Sequence, residues 1–213
     1  MEKEGVIKYQ DKSIETKLNF PDIKELNSWR QIFYIKNLIG KDKSRYEGNG
    51  YGNISQRLQD IPKPENKRSF IITGSQTGGL ENLTKKHYAL VLEYYPERNL
   101  IISQKGPINA SSEAMTHGTI YDADEKIKFV FHVHSPEIWN NAEKLGIPIT
   151  KREVSYGTPE MADEVNRLFR DTNVKNINIL SMGGHEDGIF SFGETADKAG
   201  TLILNYLARA REF

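Results

Sequence analysis

Phe129-Val130-Phe131-His132-Val133-His134 constrains this chain more than any other stretch. Aromatic and β-branched residues dominate it, which predicts a buried strand. Side chains alternate across a strand. Val130, His132 and His134 therefore face one way, and Phe129, Phe131 and Val133 the other. Two imidazoles two residues apart on one strand face can grip a single metal ion.

Composition narrows the class. At 213 residues, 37% hydrophobic and 27% charged, the chain suits one domain with a substantial core. Lys plus Arg and Asp plus Glu number 29 each, so the excess positive charge used by nucleic-acid and membrane-surface binders is absent. There is no cysteine. Disulfides and thiolate ligands are excluded, and any metal must be held by His, Asp or Glu. Met1 to Lys12 is charged and lacks the apolar segment of a signal peptide, and no run approaches the ~18 apolar residues of a membrane span. The expected location is cytoplasmic.

Residues 1–27 are polar and weakly patterned, and read as an arm or peripheral segment. Apolar spacing over 28–39 predicts a helix, with Ser28 as N-cap and Gly40 as stop. The glycine-dense Gly48 to Gly52 leads into an alternating segment from Asn53 to Leu58; it is either a hairpin turn or a loop that lets backbone approach a ligand. Residues 60–68 read as a polar, proline-containing loop. Phe70 to Thr73 reads as a strand, followed by Gly74-Ser75-Gln76-Thr77-Gly78-Gly79, a segment able to nest an anion. No Walker spacing follows, so nucleoside triphosphates are not expected. Residues 81–92 read as a short helix or helix-to-strand passage, with His87 structural or at the surface.

Asn99 to Ser103 reads as a strand. Next, Ser111 or Ser112 caps a predicted helix, with Glu113 in its first turn and His117 four residues on, on the same face. Beyond the two-histidine strand, helices are predicted from Pro136 to Leu145, from Pro159 with Thr158 as N-cap, and from about Glu194 to Arg211. A strand over 177–182 ends in the turn Gly183-Gly184-His185-Glu186-Asp187-Gly188.

A His-x-His on a strand plus a third histidine in a glycine-framed turn makes a three-imidazole site with one open position. That suits a catalytic divalent metal, most readily Zn²⁺. Glu113 is the candidate acid–base group, although a glutamate there also complements a helix dipole. The paired serines and the helix N–H groups form a candidate phosphate or carboxylate site.

Taken in order, Gly52-Asn53-Ile54-Ser55, Thr73-Gly74, Ser111-Ser112-Glu113, His132-Val133-His134, Gly157-Thr158 and a late histidine resemble the class II aldolase/adducin family. The likeness spans roughly residues 28–208. It implies a single α/β domain over 28–213, with a central, largely antiparallel sheet flanked by helices. It implies Zn²⁺, or another divalent metal, on His132, His134 and His185. Glu113 would deprotonate the substrate, and Asn53, Thr73, Gly74, Ser111 and Ser112 would hold its phosphate. The activity implied is cleavage of a small phosphorylated ketose to dihydroxyacetone phosphate and an aldehyde through a metal-stabilised enediolate, by a homotetramer. A methylthioribulose-phosphate type of dehydratase and a 4-epimerase share the fold. The epimerases usually carry aspartate at the position of Glu113. A non-enzymatic adducin-like interaction module would be expected to lose its histidines. Here Glu186 and Asp187 follow the third histidine, where the family commonly has His-Gly. They would disturb that ligand or stand near the metal, and His117 is a further candidate for lining the site.

Overall fold

The computed structural model describes residues 6–16, 20–58, 65 and 68–213. In chain order it runs β1 (Gln10–Ile14), α1 (Lys24–Ile35), β2 (Gly40–Lys41), β3 (Gly50–Tyr51), β4 (Asn53–Arg57), β5 (Phe70–Thr73), β6 (Tyr88–Tyr95) and β7 (Leu100–Gln104). It continues with α2 (Ala114–Ala123), β8 (Phe129–His134), α3 (Pro136–Asn140), α4 (Pro159–Asp171), α5 (Val174–Ile177), β9 (Ile179–Ser181), β10 (Gly188–Gly193) and α6 (Ala196–Ala210). Eight strands form one sheet in the order β1-β7-β6-β5-β4-β8-β10-β9, and β2 and β3 form a small ribbon. Every pair in the large sheet is antiparallel except β1 with β7. This is the expected α/β domain with a largely antiparallel sheet.

Alternation along the strands builds two cores. Phe129, Phe131 and Val133 pack with Ile54, Ile71 and Ile189 under α1, α3 and α6. Val130 packs with Phe70, Ile72, Phe190 and Phe192 under α2 and α4. A fully buried side chain of this size contributes about 1.5–3 kcal/mol. The same period of two puts Asn53, Ser55, His132 and His134 on the α2 face. The polar site is therefore sunk into the second core.

Several helix starts follow from local chemistry. Thr158 Oγ1 accepts from the Met161 amide and Pro159 takes the first helical position of α4, whose buried stripe is Met161, Val165 and Leu168. Ser135 and Pro136 do the same for α3, and Thr195 caps α6. Two expectations are corrected. α1 begins at Lys24, not Ser28, because the Ser28 hydroxyl turns back to donate to the Lys24 carbonyl (2.9 Å). It ends at Ile35 because Asn37 turns left-handed (φ 55°), which sends Leu38 and Ile39 into the core. In α2 the cap position belongs to Glu113, with no side-chain cap from either serine. The serines are held in the preceding turn, where the Ser111 carbonyl accepts from the Ala114 amide (3.0 Å). The 81–92 passage resolves into a 3₁₀ turn, Lys85–His87, followed by β6.

Residues 10–14, within the 1–27 segment, pair with β7 as the edge strand, all five side chains exposed. The loop read over 60–68 lies largely outside the described residues.

Candidate metal centre and acid–base site

β8 has β4 on one side and β10 on the other. His132 stands opposite Asn53 across one pair and opposite Phe190 across the other. His185 enters from the turn between β9 and β10. That turn is braced by Trp139 Nε1 donating to the Met182 carbonyl (2.7 Å) and by the Gly183 amide donating to Thr150 Oγ1 (3.0 Å). One ligand nitrogen from each of His132, His134 and His185 lies within 4.8 Å of the others.

Hydrogen bonding fixes which nitrogen of His132 is bare. Its Nδ1 lies 3.2 Å from the Ile189 carbonyl. A carbonyl only accepts, so Nδ1 carries the proton and Nε2 the lone pair. That lone pair faces His134 Nε2 at 3.1 Å and Glu113 Oε2 at 3.0 Å. Glu113 Oε1 is 3.5 Å from His185 Nε2. Electron-rich groups thus converge on one point. Burial, then the neighbouring imidazoles, pushes His132 and His134 well below the ordinary histidine range. Burial, then Lys8, pushes His185 down to about 3. All three are neutral near pH 7, which is the ligating form. Three neutral nitrogens beside a carboxylate fit a divalent ion.

Aromatic rings wall the triad. Phe190 stacks on His132 at 4.6 Å, Tyr46 meets His134 at 4.7 Å, and Tyr156 meets His185 at 4.6 Å. Gly157 (φ 66°) lets the Tyr156 loop lie on the serine pair, since a Cβ there would be 2.9 Å from the Ser112 carbonyl.

Glu113 is 1% exposed and also borders a small cavity lined by Asn53, Gly74, Ser75, Ser111 and Ser112. Thr73 does not line it; its Oγ1 accepts from the Ile54 amide (3.1 Å) and ties β5 to β4. Gly52 (φ 74°), another lining residue, leaves no room for a Cβ, which would be 2.7 Å from Ile39. Buried Arg30 holds the far wall by donating to the carbonyls of Thr77, Gly78 and Glu81.

The remaining acidic and histidine candidates are placed as follows. Asp187 is not among the clustered ligand residues. Its carboxylate accepts from the Tyr46 hydroxyl (2.5 Å) and lies 3.4 Å from Arg45. Glu186 is exposed. His117 is buried against Asn53 and Ser55 and does not line the cavity. His87 Nδ1 accepts from the Thr84 amide (2.9 Å), a local turn role. Lys8, Arg45, Tyr46 and Tyr156 were not singled out from sequence. Each reaches the site from a loop or terminus where no periodicity marks it.

Fold and centre together define an α/β protein with a buried histidine triad facing a carboxylate. The chain belongs to the class II aldolase and adducin family: the model described as "Class II Aldolase and Adducin N-terminal domain" matches residues 31–211. Among solved structures, an L-fuculose-1-phosphate aldolase from Thermus thermophilus is similar at TM-score 0.60 and 19% identity, covering 87% of this chain and 89% of that one. A sugar-phosphate aldolase from Thermotoga maritima is similar at TM-score 0.62 and 17% identity, covering 89% and 92%. The N-terminal class II aldolase domain of a conserved protein from Thermoplasma acidophilum is similar at TM-score 0.61 and 16% identity, covering 96% and 98%. At such identities the likeness is one of fold. No curated protein sequence matches the chain. No described helix is long and apolar enough to cross a membrane.

Proposed function

We propose that this protein is a metal-dependent lyase that cleaves a small phosphorylated ketose to dihydroxyacetone phosphate and an aldehyde. The observation that carries the proposal is the convergence of the Glu113 carboxylate and three neutral imidazoles beside a small polar cavity. His132, His134 and His185 would hold the divalent ion, Zn²⁺ most readily. When bound, such an ion supplies Lewis acidity toward carbonyl and hydroxyl oxygens of a ketose.

This chain's own residues do the rest. Asn53, Gly74, Ser111 and Ser112 bind the phosphate, while Thr73 holds the wall they stand on. Glu113 takes the proton of the hydroxyl beyond the scissile bond. The carbon–carbon bond breaks, with its electron pair left on the carbon next to the ketone. Glu113 then returns the proton to that carbon, so the balance closes on a ketone and an aldehyde with the phosphate charge unchanged. Burial among Phe190, Tyr46 and Tyr156 excludes water while the proton is in transit. The assembly carried over from the family is a homotetramer.

The test is product analysis on a panel of phosphoketoses with Zn²⁺-loaded protein. Dihydroxyacetone phosphate and an aldehyde in equal amounts are expected. A dehydrated ketone or an epimer in their place would move the activity to the other chemistries of this fold. No turnover of any member, with metal bound, would remove the lyase reading.

A further inference from the structure

Behind Glu113 runs a buried chain of polar groups, and beyond Asn53 the catalytic scheme does not use it. Two periodicities meet to build it. Asn53 and Ser55 stand two apart on one face of β4; Glu113, His117 and Tyr121 stand four apart along the α2 segment. Asn53 Nδ2 donates to Glu113 Oε2 at 2.6 Å. Asn53 Oδ1 lies 2.6 Å from His117 Nε2. His117 Nδ1 lies 2.6 Å from Ser55 Oγ, and Ser55 Oγ lies 2.7 Å from the Tyr121 hydroxyl. Asn53 is 4% exposed, Glu113 1%, and Ser55, His117 and Tyr121 0%.

Only one direction of donation fits every link. Burial holds His117 down at about 3, so the ring is neutral and carries a single N–H. If that hydrogen sits on Nε2, it donates to Asn53 Oδ1, and the amide NH₂ faces the carboxylate. If it sits on Nδ1, the bare Nε2 calls for the NH₂ group. The amide then turns over and presents its carbonyl to a carboxylate oxygen at 2.6 Å, two acceptors in contact. Ser55 selects between the two by donating into Nδ1. Across the Ser55–Tyr121 contact either hydroxyl can donate; with the serine hydrogen on Nδ1 the donor is Tyr121, at 2.7 Å, whereas the competing acceptors, the Lys128 carbonyl for Tyr121 and the Val130 carbonyl for Ser55, lie farther off at 3.4 and 3.5 Å. Buried groups this close cannot leave a donor or acceptor mismatched without incurring the desolvation cost of the unpaired group.

We infer that His117 is a positioning residue: through the directed chain Tyr121–Ser55–His117–Asn53 it locks the Asn53 amide so that a donor holds the Glu113 carboxylate in its reacting position. The inference rests on the reading of Glu113 as the acid–base group. Its structural half, the direction of the chain, is measurable without turnover.

Nitrogen NMR on ¹⁵N-histidine-labelled protein, with His117 assigned by its loss in His117→Leu, reads the tautomer directly. The expected result is an Nε2–H ring, neutral from pH 8 to pH 5.5, and a shift toward Nδ1–H in Ser55→Ala. The Nδ1–H form in the wild type, or no change in Ser55→Ala, would overturn the directed chain. The kinetic half uses the lyase assay. His117→Leu should lower kcat about 100-fold, the scale of an ångström of misplacement, with a much smaller rise in KM through the Asn53 contact to the phosphate and with metal content unchanged. His117→Gln restores a donor toward Asn53 and should recover at least a tenth of wild-type kcat. Equal kcat in His117→Leu and wild type, or no difference between the Leu and Gln variants, would overturn the positioning role. Should His117→Leu fail to fold, His117→Gln supplies the assignment and Ser55→Ala serves for both readouts, with a lowered kcat expected and a wild-type kcat overturning the positioning role. Should the wild type cleave no phosphoketose, the lyase reading has failed, and the tautomer alone decides the chain.

Discussion

Glu113 presents its two oxygens to different neighbours. Oε2 takes the Asn53 amide and faces His132, while Oε1 faces His185. Glu113→Gln keeps the shape and the ability to accept from Asn53 but removes the proton-accepting charge. It should retain wild-type metal content by plasma mass spectrometry and lose about 10²–10⁴ in kcat, the usual contribution of a positioned acid–base group. An unchanged rate would assign the proton transfer to another residue. His134→Ala removes one of three nitrogens and should purify with far less than one divalent ion per chain and no turnover. Full metal content in that variant would break the triad assignment. His132 and His134 were legible because strand alternation fixes their common face, and His185 because a glycine-framed turn exposes it. Asn53, the serine pair and Thr73 came from the family likeness; the Thr73 hydroxyl oxygen accepts from the Ile54 amide. Tyr46 and Tyr156 were not legible, since their contacts with His134 and His185 join loops with strand and turn residues far away in the chain.

Elements declared themselves where a local rule dominated and slipped where long-range contacts did. The strands of the sheet centre and the starts of the proline-started helices lie close to where alternation and capping put them, but α3 ends at Asn140, where turns replace the helix expected to run to Leu145. The start of α1 moved because a serine can bond its own helix as easily as cap it. β1 had no signal at all: its five side chains are exposed, so it carries no apolar pattern. It is held by its ladder to β7 and by the residue before it. Tyr9 is buried, and its hydroxyl donates to the Ala110 carbonyl at 2.7 Å, immediately ahead of Ser111 and Ser112. The edge strand thereby anchors the turn that carries the proposed phosphate site, although it precedes the matched family segment of residues 31–211. Tyr9→Phe leaves that buried carbonyl without its donor. Urea unfolding should show a loss of about 1–3 kcal/mol. Glu15→Ala, just past the strand and paired with an exposed lysine, should change it by less than about 0.5 kcal/mol. Equal effects from the two would mean that the N-terminal segment is not tied to the serine turn.

At the scale of the molecule, the placing of four histidines inside the second core makes stability depend on pH in a definite direction. His117 and His185 are both held at about 3 by burial, and His132 and His134 are held well below the ordinary value. In the unfolded chain each titrates near 6.5. Above that pH neither state binds the protons. As pH falls through 6.5 the unfolded chain takes them up and the folded one does not, so the stability they support is present above 6.5 and lost toward the folded values. Each such histidine adds a slope of about 1.4 kcal/mol per pH unit. Glu164, held down to about 2 by its hydrogen bonds to Arg167, acts in the same direction, but only below its unfolded value of 4.5. Metal-free protein should therefore unfold at constant urea between pH 8 and 7, at steadily lower urea from 6.5 to 5, and more steeply below 4.5. Glu164→Gln should flatten only the lowest limb. Zinc loading should move the curve to higher urea near neutral pH, because the ion binds only the unprotonated imidazoles. A urea midpoint that stays level from pH 7 to 5 in the metal-free protein would mean that the histidines are not buried as neutral rings. The proposed metal centre and the directed chain behind Glu113 both depend on that condition.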